Sequence, residues 1–174
     1  MNRKDLAREI YRVSHLEGQF KLRSGQISNQ YFDKYLFESD PGLLSAIADH
    51  MSTLIPPQTG VLAGLEMGGI PIATALSLKT NLPVVFVRKK AKEYGTCKLA
   101  EGGEFRNKRV CIIEDVVTTG GQIILSATDL KKLGAQIDSV LCVIQRGMDS
   151  GNILLKEGLR LIPLFTMPEL EAKK

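Results

Sequence analysis

The chain has 174 residues, 44% of them hydrophobic, and a net charge of +4, which is enough apolar material for one core and predicts a single domain over 1–174. No run of about 18 apolar residues occurs, so a transmembrane helix is excluded, and the charged start carries no signal-peptide hydrophobic region. Cys97, Cys111 and Cys142 are odd in number and lack Cys-x-x-Cys spacing, which argues against a disulfide framework and predicts a reducing cytoplasm with no membrane partner.

From the N-terminus, residues 6–16 carry a helical pattern. Phe20-Lys21-Leu22-Arg23-Ser24-Gly25 and Tyr31-Phe32-Asp33 then read as short extended pieces around a Ser-Gly turn, so residues 1–40 are expected to form a small cap on a main sheet. Asp40-Pro41 is an N-cap followed by proline at the first helical position, and Leu43, Leu44, Ile47, Met51 and Leu54 line one apolar face. Strand patterns follow at 61–65, 84–87, 110–115, 137–144 and 159–164. Helical patterns lie at 70–78, at 122–133 closed by Gly134, and at 153–156 closed by Gly158. Near-continuous apolar strands alternating with helices predict an α/β fold with a parallel sheet covered on both faces. Cys111 and Cys142 fall inside two of these strands, where thiols behave as small buried hydrophobes.

The connection 88–109 breaks the length rule for compact domains and has no helical period. It holds eight basic residues (Arg88, Lys89, Lys90, Lys92, Lys98, Arg106, Lys108, Arg109) against Glu93, Glu101 and Glu104, and so carries +5 while the rest of the chain carries −1. An anionic partner is implied, and both nucleic acid and a polyphosphate qualify on charge. A lid closing over a polyphosphate is one reading and a solvated loop is the other.

The most informative stretch ends the third strand pattern. Glu114 and Asp115 stand at its carboxyl end, followed by Val116-Val117-Thr118-Thr119-Gly120-Gly121-Gln122 and a helix. Carboxylates accept hydrogen bonds from vicinal sugar hydroxyls, and a helix N-terminus with small turn residues cradles a phosphate. Glu66-Met67-Gly68-Gly69-Ile70-Pro71 places a second anion-capable turn at the same sheet edge. It is neither a Walker loop nor a dinucleotide fingerprint. His15 and His50, the only histidines, both fall on predicted helices as surface or packing residues, which argues against a catalytic triad or a histidine zinc site. Arg146 follows a strand at the ligand edge; a salt bridge or a bidentate carboxylate clamp both suit it.

Residues 110–122 resemble the signature of type I phosphoribosyltransferases, which bind phosphoribosyl pyrophosphate (PRPP). The segment 20–25 with Ser28 and Tyr31-Phe32-Asp33 is similar to the hood of the orotate phosphoribosyltransferases, 88–95 to their catalytic loop, and Gln145-Arg146-Gly147 to their base site. The resemblance spans nearly the whole chain. It implies the type I phosphoribosyltransferase fold, transfer of phosphoribosyl from PRPP to orotate in pyrimidine biosynthesis, Mg²⁺ bridging pyrophosphate and ribose hydroxyls, and a homodimer whose 88–109 loop serves the neighbouring site.

In residue terms the resemblance implies that Glu114 and Asp115 hold the ribose and that residues from Val116 to Gln122 hold the 5′-phosphate. Gly68 and Gly69 would line the PRPP site, Arg88, Lys89 and Lys92 would neutralise pyrophosphate with help from Tyr94, and Arg146, Thr118, Arg23, Tyr31 and Phe32 would meet orotate. Asp115, Arg88, Lys89 and Lys92 carry the catalytic expectation. Three positions depart from the pattern: Tyr94 replaces a loop histidine, Gly68 a pyrophosphate-binding lysine of some members, and Arg23 a lysine. Two alternatives remain: a different acceptor base, or a PRPP-sensing regulator that binds nucleic acid. The charge sits on one loop rather than on a persistent stripe, which predicts no nucleic-acid partner.

Overall fold

The computed structural model describes residues 1–22, 24–90 and 99–172. Helix α1 (Arg3–Ser14) is capped by Asn2, whose side chain accepts the Asp5 N–H at 2.9 Å, and it buries Leu6, Ala7, Ile10 and Tyr11. It stops short of the expected residue 16, because His15 already opens strand β1 (His15–Lys21). That strand pairs antiparallel with β2 (Ile27–Phe32), His15 facing Phe32 and Leu16 facing Tyr31. Cross-strand pairing here outweighs the helical period. The helices α2 (Lys34–Glu38) and α3 (Pro41–Ser52) follow, the latter with Asp40 Oδ1 accepting the Leu43 N–H at 2.9 Å as the Asp-Pro signal predicts.

The main sheet contains β3 (Val61–Leu65), β4 (Val84–Val87), β5 (Ala100–Gly102), β6 (Arg109–Val117), β7 (Gln136–Gln145) and β8 (Arg160–Thr166), in the order β5-β4-β3-β6-β7-β8. All neighbours are parallel except β5, which runs antiparallel to β4. The connection 88–109 therefore is not a structureless loop throughout: Ala100-Glu101-Gly102 adds an edge strand. Pro163 sits on β8 at the opposite edge, where a missing ladder donor is tolerated.

Helices α4 (Gly69–Thr80), α5 (Gly121–Lys132), α6 (Ser150–Lys156) and α7 (Met167–Glu171) complete the chain. Successive strand residues point to opposite faces and so build two cores. On one side Cys111, Ile113, Leu141 and Val143 pack with Leu6, Ile10, Phe37, Ile47, Met51, Ile72, Leu76 and Leu170. On the other, Val110, Ile112, Val140 and Cys142 pack with Ile123, Ala127, Leu130 and Leu154. The sheet is covered on both faces, and both strand cysteines are free and buried. The carboxyl ends of β3, β4, β6 and β7 open along one edge, and the sequence motifs collect there.

Candidate active site at the carboxyl edge

The acid pair lies near the end of β6. Asp115 is 1% exposed. One of its oxygens accepts the Val116 N–H and the other accepts Lys34 Nζ at 2.5 Å, while a Glu114 oxygen accepts the Asp115 N–H at 3.3 Å. Lys34 opens α2, directly after the hood strand β2, and its side chain is 33% exposed. One helical turn on, Glu38 is buried and its Oε1 has no hydrogen-bond partner among the described residues. Burial, reinforced by hydrogen bonding to Asp115 and by its charge, pushes the Glu38 carboxyl up to about 9. Burial and the Asp115 charge likewise raise Glu114 to about 8. For Lys34, burial alone lowers the ammonium's pKa, but the hydrogen bond and charge of Asp115 outweigh it and leave it raised. The result is one ion pair flanked by two carboxyl groups that favour the protonated form.

Gly68 explains how Asp115 fits. A Cβ at position 68 would run into the Asp115 carboxylate and lie 2.8 Å from Glu38 Oε1. Any side chain there is incompatible with this arrangement. The same turn holds Glu66, whose Oε1 accepts the Lys89 N–H at 2.8 Å and so joins the ends of β3 and β4. Arg88 donates its backbone N–H to Leu99 at 2.9 Å, while its side-chain Nε is buried without a partner among the described residues. Gly69 begins α4, one residue before the expected start at 70.

At the end of β6, Thr118 and Thr119 are exposed, and Gly120 takes φ 80° to turn the chain into α5. That conformation suits glycine because it lacks Cβ. The first N–H groups of a helix lack intrahelical acceptors, and no acid stands in the first turn of α5 to compete for an anion. The side chains of Val116 and Val117 pack into the two cores, which leaves only their backbone for a ligand. Gln122 donates to Ser126 Oγ at 3.3 Å.

Arg146 is anchored by its backbone, its N–H donating to the Val117 carbonyl at 2.8 Å. No carboxylate of the described residues pairs with its guanidinium, which favours the clamp over the salt bridge. It lines a cleft of about 140 Å³ together with Ser28, Tyr31, Phe32, Tyr11 and His15. Tyr31 stacks on Phe20 with ring centroids 5.5 Å apart, and His15 stacks on Tyr11 at 4.9 Å. His15, expected on a helix, is instead the first residue of β1 and part of this cleft wall. His50 stays on α3, its ring bonded to the Met1 carbonyl at 3.0 Å. A hollow of about 350 Å³ lined by Arg109 and Arg160 lies where β6 and β8 begin, at the opposite edge from every motif.

The structure thus gathers Glu114, Asp115, Gly68, Gly69, Arg88, Lys89, the 116–122 turn, Arg146, Tyr31 and Phe32 along one edge. Arg23, Lys92 and Tyr94 lie outside the described residues. Sequence reasoning missed Lys34 and Glu38; their (i, i+4) spacing after the hood motif was visible, but not that both face a carboxylate 81 residues from Lys34.

Fold and site together define a phosphoribosyltransferase. A family model described as phosphoribosyl transferase domain matches residues 41–154. The orotate phosphoribosyltransferase of a Nocardioides species is 50% identical over 169 residues, covering 97% of this chain and 94% of that protein. The solved orotate phosphoribosyltransferase of Mycobacterium tuberculosis with inorganic phosphate superposes with a TM-score of 0.87 at 26% identity, covering 97% of this chain and 98% of that one. The same enzyme in complex with PRPP superposes at 0.83, with the same identity and coverage. The chain belongs to the orotate phosphoribosyltransferase family.

Proposed function

We propose that this protein transfers the phosphoribosyl group of PRPP to orotate, giving orotidine 5′-monophosphate and pyrophosphate. The single observation that carries this reading is the convergence on one edge of an acid pair with Asp115 buried, an acid-free helix N-terminus and an aromatic cleft with an unpaired guanidinium among the described residues. Together they complement ribose hydroxyls, a 5′-phosphate and a planar carboxylated base.

In the reaction, orotate N1 forms a bond to ribose C1 while the C1–oxygen bond breaks and its electron pair leaves with pyrophosphate. Positive charge builds on the ribose and negative charge on the leaving group, so placement and electrostatics supply most of the catalysis. Glu114 and Asp115 accept the ribose hydroxyls and face the developing oxocarbenium. The turn from Thr118 to Gln122 seats the 5′-phosphate by its N–H groups. Arg88, Lys89 and Lys92, with Tyr94, neutralise pyrophosphate. Arg146 holds the orotate carboxylate, with Thr118, Tyr31, Phe32 and Arg23 around the ring.

Mg²⁺ fits this donor set as a ligand-borne ion. The described residues offer no group of three or more His, Cys, Asp or Glu to cage a metal, and Mg²⁺ characteristically takes phosphate oxygens and waters with one or two carboxylates. Glu114 and Asp115 are the carboxylates that would face it, and when bound it neutralises pyrophosphate charge. We further propose a homodimer in which the 88–109 loop serves the neighbouring subunit, in a cytoplasm whose reducing poise suits the free thiols of Cys111 and Cys142. No helix among the described residues is long and apolar enough to cross a membrane.

Incubation with PRPP, orotate and Mg²⁺ tests the reading. Orotidine 5′-monophosphate and pyrophosphate should form in equal amounts; pyrophosphate release without nucleotide, or no turnover, would contradict it.

A further inference from the structure

Lys34 is the residue that no motif announces. It comes from the hood side, three residues after Tyr31 and two after Phe32, yet its ammonium lies on the Asp115 carboxylate at 2.5 Å. Asp115 Oδ2 is closely bordered: Gly68 is against it, with no room for a Cβ, and the Lys34 ammonium lies on the same oxygen. Asp115 itself is almost wholly buried, whereas a third of the Lys34 side chain is exposed. A ligand hydroxyl bonded to Asp115 Oδ2 therefore shares that oxygen with Lys34.

The chemistry of the ammonium suits that encounter. An ammonium has three N–H donors, and one is committed to Asp115 among the described residues. Its partner Asp115 is 1% exposed while a third of the Lys34 side chain reaches solvent, so Lys34 presents the cation an approaching pyrophosphate meets. Gly68, which borders the same carboxylate, offers no side chain of its own.

We propose that Lys34 is a PRPP-binding residue that orients Asp115 before the ligand arrives and donates a further N–H to the pyrophosphate oxygens once it is bound. The proposal rests on the phosphoribosyl-transfer reading only for the identity of the ligand. It also gives the hood a second task, since the segment that walls the base cleft carries the cation of the sugar site.

The test is calorimetric titration of the full chain with PRPP and Mg²⁺, and separately with pyrophosphate and Mg²⁺, in Lys34→Met, Lys34→Gln and Lys34→Arg variants. Both ligands should bind at least about tenfold more weakly to Lys34→Met and Lys34→Gln, as loss of a charge-assisted bond predicts. Lys34→Arg should recover much of the affinity, and the orotate KM should change little in any variant. If pyrophosphate affinity is unchanged while melting temperature falls, Lys34 only braces the hood and the proposal is overturned. Should Lys34→Met not fold, Lys34→Gln, which keeps a donor toward Asp115, decides by the same criterion. These titrations need no acceptor base, so wild-type protein that binds PRPP but ignores orotate would refute the substrate reading and leave the Lys34 test intact.

Discussion

The Arg146 N–H donates to the Val117 carbonyl at 2.8 Å, and the Gly147 N–H donates to the same oxygen at 3.2 Å. The strand that bears the acid pair thus ends on the loop that bears the guanidinium. Gln145 Nε2 and Ser150 Oγ, both bonded to the Gly147 carbonyl at 3.2 and 2.7 Å, hold that loop from its other side. The backbone of Arg146 is fixed and its side chain exposed, which is what a clamp for a rigid planar carboxylate requires.

Arg146→Ala should therefore raise the orotate KM sharply while PRPP affinity changes little. Arg146→Lys should recover only part of the loss, because a point charge cannot reproduce two parallel hydrogen bonds. Initial-rate kinetics with each substrate varied in turn checks this. A weakened PRPP affinity with unchanged orotate KM would reassign Arg146 to the phosphates.

Asp115→Asn removes the charged acceptor from the ribose site and leaves the Lys34 ammonium facing an amide. Because Lys34 is partly exposed, it can turn to water, and the fold should survive. The lost charge-assisted bonds are worth about 1.5–3 kcal/mol, roughly ten- to a hundredfold in kcat/KM for PRPP. Circular dichroism alongside kinetics separates the two effects; a folded variant with normal kinetics would remove Asp115 from the site.

The carboxyl cluster makes a prediction about pH. Glu38 and Glu114 have folded-state pKa values of about 9 and about 8, above the ordinary carboxylate range. The native state therefore binds protons that the unfolded chain has released. Their contribution is fully present below the unfolded carboxylate pKa and is lost as pH rises to about 9. Carboxylates held low, such as Asp49 beside Lys79, act in the opposite sense and only at acid pH. Without ligand, the melting temperature should fall from about pH 6 to about pH 9, and Glu38→Gln should flatten the decline. A melting temperature that rises across this window would contradict the assigned shifts.

The neighbour-serving loop predicts complementation. Mixed dimers of a Lys92→Ala chain with an Asp115→Asn chain contain one site with neither change, and should regain activity that neither parent shows. Verified mixed dimers without recovery would place the loop on its own subunit's site.

What could be read in the sequence follows from the range of each interaction. Two strands of the main sheet, at 61–65 and 84–87, fall where their apolar runs placed them, and the first is buried at every position, which leaves an unbroken apolar signature. The Asp40-Pro41 cap, the Gly134 turn and the acid pair were equally plain, being local. Strand β5 was not, since Ala-Glu-Gly carries no strand pattern and exists by pairing with β4. The switch from α1 to β1 at His15 depends on β2, seventeen residues away at Phe32. Helix α7 escaped notice although Thr166 and Glu169 carry a visible capping-box signal, with the Thr166 N–H bonded to Glu169 Oε2 at 2.7 Å. Lys34 stayed hidden for the strongest reason, as its role comes from a contact with Asp115 that only the folded hood creates.

The most direct measurement of the central claim is the specificity of the wild-type protein across acceptor bases, as kcat/KM with PRPP and Mg²⁺ for orotate, uracil, adenine and hypoxanthine. A site built to pair a charged group rejects an analogue that lacks it by orders of magnitude. Orotate should therefore dominate the panel, with uracil far below it, and Arg146→Ala should narrow that gap mainly by losing orotate activity. A wild-type protein that prefers a purine, or uses uracil as well as orotate, would contradict the account.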